Sequence, residues 1–139
     1  MTPDPDQLRA FAGHYAAAWC SQDPASVAAH YAPEGSLTIN GGPPAAGRAA
    51  ITEVARGFMT AIPDIQVLMD ELLVQDGGIE FHWTFTGANT GPSGTGNRVR
   101  ISGYEAWTID ADGLIAESQG HYDQTEYDRQ LEHGVQESR

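Results

Sequence analysis

The sequence predicts an α+β fold in which the helices come first and the long strands follow. Apolar residues recur at helical spacing in the chain up to Pro63, whereas four strand-like segments follow Asp64. Because helices and strands do not alternate, the order does not match a parallel βαβ sheet. A long antiparallel sheet with helices gathered on one face can curl around them. We therefore expect a cone-shaped curved sheet, antiparallel or mixed, wrapped around the N-terminal helices, with a cavity between sheet and first helix.

Each predicted helix begins or ends at a local signal. Asp4-Pro5-Asp6-Gln7 supplies an N-cap acid and a proline at the first helical position, and the apolar stripe that follows runs to about Cys20. Asp23-Pro24 repeats this signal and predicts a short second helix that ends near Pro33. A third helix is predicted over residues 51–62, ended by Pro63, and a terminal helix over residues 125–133.

The strands are predicted from alternation and from turn residues. A brief strand covers residues 37–40, and a loop containing Gly41-Gly42-Pro43-Pro44 follows it. The long strands are predicted over residues 65–74, 79–86, 98–109 and 114–123. The turns Gln75-Asp76-Gly77-Gly78 and Asp110-Ala111-Asp112-Gly113 join two of the pairs, and a Gly-rich loop over residues 87–97 joins the middle strands.

The composition of the chain excludes several classes of partner and of site. The 139 residues are expected to form one domain over residues 1–139, with a formal charge of −12 and no lysine. This charge disfavours binding to nucleic acid or to an anionic membrane surface. The lone Cys20 cannot form an internal disulfide, and no Cys/His cluster has zinc-ligand spacing, so we expect no metal. No signal-peptide pattern and no long apolar run is found, so a cytoplasmic protein is expected.

The last predicted strand carries a row of polar side chains. Side chains alternate between the faces of a strand, so one face receives Ile115, Glu117, Gln119, His121 and Asp123. The opposite face is small apart from Tyr122. The row is either a solvated face or the polar floor of a pocket whose groups can move protons.

Several motifs, taken in order, carry a resemblance to a known family. They run from Phe81-His82-Trp83-Thr84-Phe85-Thr86-Gly87 through Trp107-Thr108-Ile109 and Asp112-Gly113-Leu114-Ile115-Ala116-Glu117 to Gln130-Leu131-Glu132-His133-Gly134. From about Leu8 to Gly134 the chain resembles the SnoaL-like polyketide cyclase family, within the nuclear transport factor 2-like superfamily. The resemblance implies the fold more strongly than the reaction, because this fold hosts cyclases, isomerases, dehydratases, epoxide hydrolases and binding proteins.

The resemblance implies a mechanism and a partner. Cyclases of the family close a ring by an intramolecular aldol reaction without a cofactor, using an acid in the last strand. By position Asp123 matches that acid, with His121 on the same face in support. Asp123 can instead be the N-cap of the terminal helix, since Glu126 follows three residues later. A homodimer through outer sheet faces is also implied.

Other candidates remain open between a site and a structural role. Glu105 lies on an apolar strand face, so it is either at the solvent-exposed entrance of a pocket or held neutral as a hydrogen-bond donor. Tyr15 resembles the tyrosine of the ketosteroid isomerases, although a core role is the alternative. Steroid-type isomerisation is disfavoured because residues 37–40 hold no carboxylate, but Asn40 can bind a ligand carbonyl. The Asp-Arg-Asp relay of the epoxide hydrolases is missing. Core or cavity wall is expected for Trp19, Phe58, Trp83 and Trp107.

Two classes of function follow. The first is a cofactor-free lyase, cyclase or isomerase acting on a hydrophobic carbonyl compound, with Asp123 as acid/base and Gln119, Asn40 or Tyr15 orienting the carbonyl. The second is a non-catalytic binding protein for a hydrophobic small molecule. A third possibility is a dehydratase built on His82 and His121, which requires the two rings to meet in the pocket.

Overall fold

The structure is a computed structural model that describes residues 4–75 and 78–135. Its elements follow one another as α1 (Pro5–Cys20), α2 (Pro24–Ala28), β1 (Tyr31–Ile39), β2 (Ala45–Ala46), α3 (Arg48–Ala61), β3 (Gln66–Gln75), β4 (Gly78–Ala88), β5 (Arg98–Ile109), β6 (Ile115–Tyr122) and α4 (Gln124–His133). The predicted order of helices before long strands is confirmed.

The strands form one mixed sheet in the order β2-β1-β6-β5-β4-β3. Strands β3 to β6 pair antiparallel with their neighbours, while β1 runs parallel to β6. The parallel pair is possible because α3 and the three strands after it separate β1 from β6 along the chain. The fold is therefore α+β, as the sequence predicts.

Helix α1 lies against the sheet through one apolar stripe. Leu8, Ala12, Tyr15 and Trp19 recur every three or four residues and are all buried. Pro5 occupies the first turn, where no backbone donor is lost, although the Asp4 side chain makes no capping hydrogen bond. The face of the sheet that packs on this stripe is called the inner face below, and its opposite the outer face.

Strand alternation divides the two faces. In β4 the residues Ile79, Phe81, Trp83 and Phe85 are buried on the inner face. The side chains between them lie on the outer face and are half-buried. They are Glu80, His82, Thr84 and Thr86. This is the pattern expected of a sheet with one face in the core and the other uncovered.

Three elements differ from the predictions, namely α2, β1 and β2. Helix α2 ends at Ala28, and β1 already begins at Tyr31, so Pro33 lies in a strand instead of ending a helix. The ladder with β6 is interrupted between Tyr31 and Ser36, which is where a proline is tolerated in a strand. The short β2 was not predicted, and Asp76 and Gly77 of the predicted turn lie outside the described residues. None of the described helices is long and apolar enough to cross a membrane.

Candidate functional site

A cavity of about 50 Å³ lies between the helices and the inner face. Its aromatic wall comes from α1, α3, β4 and β6, and consists of Trp19, Phe58, Phe81, Trp83, Phe85 and Tyr122. Aliphatic side chains fill most of the remaining lining, and Glu105 is the one lining residue with a carboxyl group. A mostly apolar cavity with a single convergent acid is a typical small-molecule site.

The sheet register places Glu105 at the centre of the inner face. Its neighbour on β4 is Phe81, and its neighbour on β6 is Gly120. Gly120 has no side chain, and the Glu105 carboxyl extends over it and borders the cavity; even an added Cβ there would lie 3.7 Å from Glu105 Cγ, an ordinary contact. Glu105 is only 7% exposed.

Four groups surround the Glu105 carboxyl. The Tyr15 hydroxyl donates to Oε1 at 3.0 Å and lies 3.3 Å from Oε2. The indole Nε1 of Trp107 donates to Oε1 at 2.9 Å, and the Ser118 hydroxyl donates to the same atom at 2.8 Å. The Tyr31 hydroxyl is 2.8 Å from that of Tyr15 and extends the network to β1. We call these five residues the Glu105 cluster.

Burial decides the electrostatics of the cluster. Removal from water raises the pKa of Glu105, and the hydrogen bonds from Trp107, Ser118 and the two tyrosines lower it only in part. Burial and the neighbouring carboxyl also raise the pKa values of Tyr15 and Tyr31 well above the ordinary value, so both hydroxyls keep their protons. The carboxyl therefore takes up a proton at a higher pH than an exposed glutamate does.

The raised pKa of Glu105 makes the free energy of unfolding depend on pH in a defined direction. The folded state binds the Glu105 proton more tightly than the unfolded chain does, because the folded pKa is raised. The stabilisation from this group is thus complete below the unfolded pKa and is lost as the pH rises through the folded pKa.

The two carboxyl oxygens differ in what they can do. Oε1 accepts from Trp107, Ser118 and Tyr15 at 3.0 Å or less, whereas the Tyr15 hydroxyl lies 3.3 Å from Oε2. An indole N–H donates and cannot accept, so Oε1 is fixed as an acceptor. A proton on the neutral acid is therefore best accommodated at Oε2.

The predicted site residues divide into three groups by position. Trp19, Phe58 and Glu105 line the cavity. Tyr15 and Trp107 are buried behind its lining, where both bind Glu105. The remaining candidates do not line it: Asn40, His82, Glu117, Gln119, His121 and Asp123.

The polar row of β6 points away from the cavity. Ser118 is fully buried on the inner face, while Glu117 and His121 are exposed on the outer face. Gln119 donates to Glu117 at 2.8 Å, so these two satisfy each other beside the outer surface. The row is thus the solvated face, and the expectation of a polar pocket floor is corrected: Ser118 and Gly120, the small residues of the same strand, face inward toward Glu105.

The side chains of Asp123 and Asn40 accept hydrogen bonds from backbone N–H groups at the end of the sheet. The Asp123 carboxylate accepts from the Glu126 N–H at 3.0 Å and is the N-cap of α4, the alternative considered for it. The Asn40 amide oxygen accepts from the Tyr122 N–H at 2.9 Å and ties the end of β1 to β6. Neither polar group is directed to a ligand in this arrangement.

His82 and His121 lie on the same outer face with Tyr104 between them. The ring of Tyr104 is 5.2 Å from that of His82 and 5.0 Å from that of His121. His82 also contacts Glu80 at 3.0 Å. The two imidazoles therefore do not meet in the pocket, as the dehydratase hypothesis requires.

Sequence reasoning missed Ser118, Tyr31 and Gly120 as parts of the site. The signal for two of them was present, because both lie on the small face of the alternating last strand. A serine and a glycine opposite a polar row fit close packing equally well, so only the register with β5 reveals their role. In the described part of the chain, no cluster of metal-ligating side chains is present.

The family of the chain follows from its sequence match. A family model described as the SnoaL-like domain matches residues 12–118. The match spans α1 to the middle of β6 and so contains the whole Glu105 cluster. The chain belongs to the SnoaL-like family. Among curated proteins, none matches the sequence significantly.

Solved structures share the fold at low identity. TsrD from Streptomyces laurentii is 22% identical, with a TM-score of 0.79, over 94% of this chain and 98% of that one. A protein of ketosteroid isomerase-like fold from Catenulispora acidiphila, solved with trimethylamine, is 16% identical with a TM-score of 0.77 over 95% of both chains. SalBIII, an epoxide hydrolase/cyclase-like enzyme with a role in pyran ring formation in salinomycin, is 19% identical with a TM-score of 0.74 over 88% and 95%. Similarity at this level shows the fold alone.

Proposed function

We propose that the protein is a cofactor-free acid/base enzyme, a lyase, cyclase or isomerase, that acts on a hydrophobic carbonyl compound. The observation that carries this proposal is the buried Glu105 carboxyl, which borders an apolar cavity and has a raised pKa. In this proposal Glu105 takes the role that the sequence suggested for Asp123 and His121. A perturbed acid in a cleft is a typical sign of a functional site.

The surroundings of Glu105 suit transfer of a proton in both directions. Burial favours the neutral form, which donates from Oε2 to a ligand oxygen. The donors from Tyr15, Trp107 and Ser118 stabilise the ionised form once that proton has left. With a proton that is held more tightly than on an exposed glutamate and with donors for the ionised form, the group can remove a proton beside a carbonyl and return it elsewhere on the same molecule.

The arrangement differs from that of ketosteroid isomerase in one respect. In that enzyme a tyrosine and a protonated carboxylic acid both donate to the steroid oxygen, and a separate aspartate is the base. Here Tyr15 donates to Glu105 itself, and residues 37–40 carry no carboxylate. One carboxyl therefore has to act as both acid and base.

A non-catalytic binding protein is the alternative that the same cavity supports. Its apolar wall would recognise the ligand, and the Glu105 proton would only form a hydrogen bond. The two functions differ in whether bound ketones lose hydrogen from the carbon next to the carbonyl.

Exchange of α-hydrogens in D₂O distinguishes them without knowledge of the natural substrate. Cyclohexanone and 2-tetralone are incubated with the protein, and deuterium incorporation is followed by proton NMR. We expect the wild-type protein to accelerate exchange of at least one ketone above the buffer rate. Ligand-induced shifts in the protein spectrum without accelerated exchange would favour the binding protein.

We also propose that two copies of the chain pair through their outer sheet faces. Leu68 is 58% exposed on the outer face of β3, and the stack of His82, Tyr104 and His121 lies on the same face. The face carries acids such as Glu80 and Glu117 together with these imidazoles, so a second copy offers complementary groups.

Light scattering after size-exclusion chromatography tests the pairing. The wild-type protein is expected at twice the chain mass of 14.9 kDa. Leu68→Glu would place a charge in the interface and should shift the mass toward one chain. Gln7→Glu adds the same charge at an exposed position of α1 and should leave the mass unchanged. A wild-type protein with the mass of one chain would contradict the proposal.

A further inference from the structure

One buried donor of the cavity wall has no partner. Within residues 4–75 and 78–135, the indole Nε1 of Trp83 is the buried side-chain nitrogen or oxygen that lacks a hydrogen bond. Trp83 is only 8% exposed and lines the cavity. An indole N–H can only donate, and a buried donor without an acceptor is unfavourable for folding. Its position in the wall of a cavity leaves room for an acceptor from outside the chain.

The indole of Trp83 is held in place by its neighbours. It is stacked with Phe85 at 5.8 Å and meets Tyr122 edge-on at 6.1 Å. Beneath it lies Gly103, where an added Cβ would come within 2.8 Å of the indole Cζ2. With packing on three sides, the ring cannot turn easily to find an acceptor elsewhere.

A second buried indole, that of Trp107, does have an acceptor, and this acceptor is the carboxyl group that lines the cavity. Trp107, two strand positions beyond Glu105, donates its Nε1 proton to Glu105 Oε1. Glu105 Oε1 already receives three donors and offers nothing to Trp83. The chain therefore places an unpartnered donor, the Trp83 indole, and a carboxyl group that can exchange a proton, that of Glu105, in the lining of the same cavity.

We propose that the Trp83 Nε1–H binds the carbonyl oxygen of a neutral ketone ligand. Trp83 pairs with Gly103, and Glu105 lies two residues further along β5, so the two residues are diagonal neighbours on the inner face. Such neighbours are about 7–8 Å apart. This spacing suits a ketone whose oxygen meets the indole and whose α-carbon lies toward Glu105. An acid ligand is excluded because no lining side chain offers a positive charge beside Glu105.

The role of Trp83 in the reaction rests on the proposed function, whereas its role in binding does not. When Oε2 of ionised Glu105 takes the α-proton, the C–H electron pair forms the carbon–carbon double bond of the enolate. The carbonyl π pair moves to oxygen, where the Trp83 N–H stabilises the new charge. Return of the proton to carbon or oxygen restores Glu105.

Indole signals in ¹H–¹⁵N spectra of the wild-type protein test the binding directly. The chain has three tryptophans, and Trp83→Phe identifies the signal of Trp83. Cyclohexanone is compared with methylenecyclohexane, which has the same shape but no oxygen. We expect the ketone to move the Trp83 indole proton downfield and the alkene to leave it nearly unchanged.

Affinities provide the matched comparison. Trp83→Phe should weaken cyclohexanone binding about five- to tenfold, the range for one lost hydrogen bond, and change methylenecyclohexane binding less than twofold. Equal loss for both ligands would show a role in packing alone. A Trp83 signal that does not respond to the ketone, or no ketone binding up to its solubility limit, would overturn the proposal.

The outcomes separate this inference from the proposed function. A Trp83 response without α-hydrogen exchange would leave the ligand contact intact and remove the reaction. Exchange that depends on Glu105 but leaves the Trp83 signal unaffected would support the reaction and overturn the ligand contact of Trp83. Because the spectral comparison uses wild-type protein, it does not depend on how well the variant folds.

Discussion

Glu105→Gln is expected to lower the rate of α-hydrogen exchange by at least about 100-fold, the lower end of what general acid/base catalysis contributes. A glutamine side chain has nearly the same shape, and its oxygen can still accept from Trp107 and Ser118 in place of Oε1. It cannot, however, gain or lose a proton near neutral pH. The measurement is deuterium incorporation into the bound ketone at matched protein concentration.

Two variants make this result interpretable. Glu117→Gln removes an exposed carboxyl from the outer face and should leave exchange unchanged. Glu105→Ala should lose exchange too, but it should also lower the free energy of unfolding by about 2–4 kcal/mol, since the Trp107 donor becomes unpaired and a cavity opens. Undiminished exchange in a folded Glu105→Gln protein would assign the chemistry to another group.

Gly103→Ala is expected to lower the free energy of unfolding by about 1–3 kcal/mol, a typical cost of overpacking. The added Cβ would clash with the His121 carbonyl oxygen and would lie 2.8 Å from Trp83 Cζ2. The first contact is with backbone, so β5 and β6 must separate. The second displaces the indole, so ketone binding should weaken as well. Urea unfolding measures the first effect, and the indole spectra measure the second.

Gly120→Ala is the matched control on the adjacent strand. Its added Cβ would meet the Thr38 carbonyl oxygen at 3.5 Å and Glu105 Cγ at 3.7 Å, which are ordinary contacts. It should therefore change the free energy of unfolding much less than Gly103→Ala. Equal effects of the two substitutions would contradict the close packing of Trp83 on Gly103.

Local signals in the sequence were sufficient for most of the fold. The proline and acid at the start of α1, and the alternation of β5, predicted the bounds of both elements, because they depend on residues close in the chain. The start of β1 was missed, since pairing with the distant β6 outweighs the turn signal of Pro33. Local patterns also do not contain the parallel β1–β6 pairing.

The candidate site was less predictable than the fold for a physical reason. Alternation in β6 separates Glu117 and His121 from Ser118 and Gly120, but it does not tell which set faces inward. The inward set is decided by what α1 and β5 place opposite, namely Tyr15 and Glu105. The sequence left two alternatives for Glu105, a position at the solvent-exposed entrance of a pocket and a buried, neutral carboxyl group. The hydrogen-bond donors from α1, β5 and β6 favour the buried one.

The pH titration of the Glu105 carboxyl carbon tests the central claim most directly. The signal is assigned in ¹³C spectra by its loss in Glu105→Gln. The buried cluster predicts a midpoint above the ordinary glutamate pKa, because burial outweighs the hydrogen bonds to the ionised form. A midpoint at or below the ordinary value would mean that Glu105 is a fully ionised structural acceptor, and the account of proton transfer in this cavity would be contradicted.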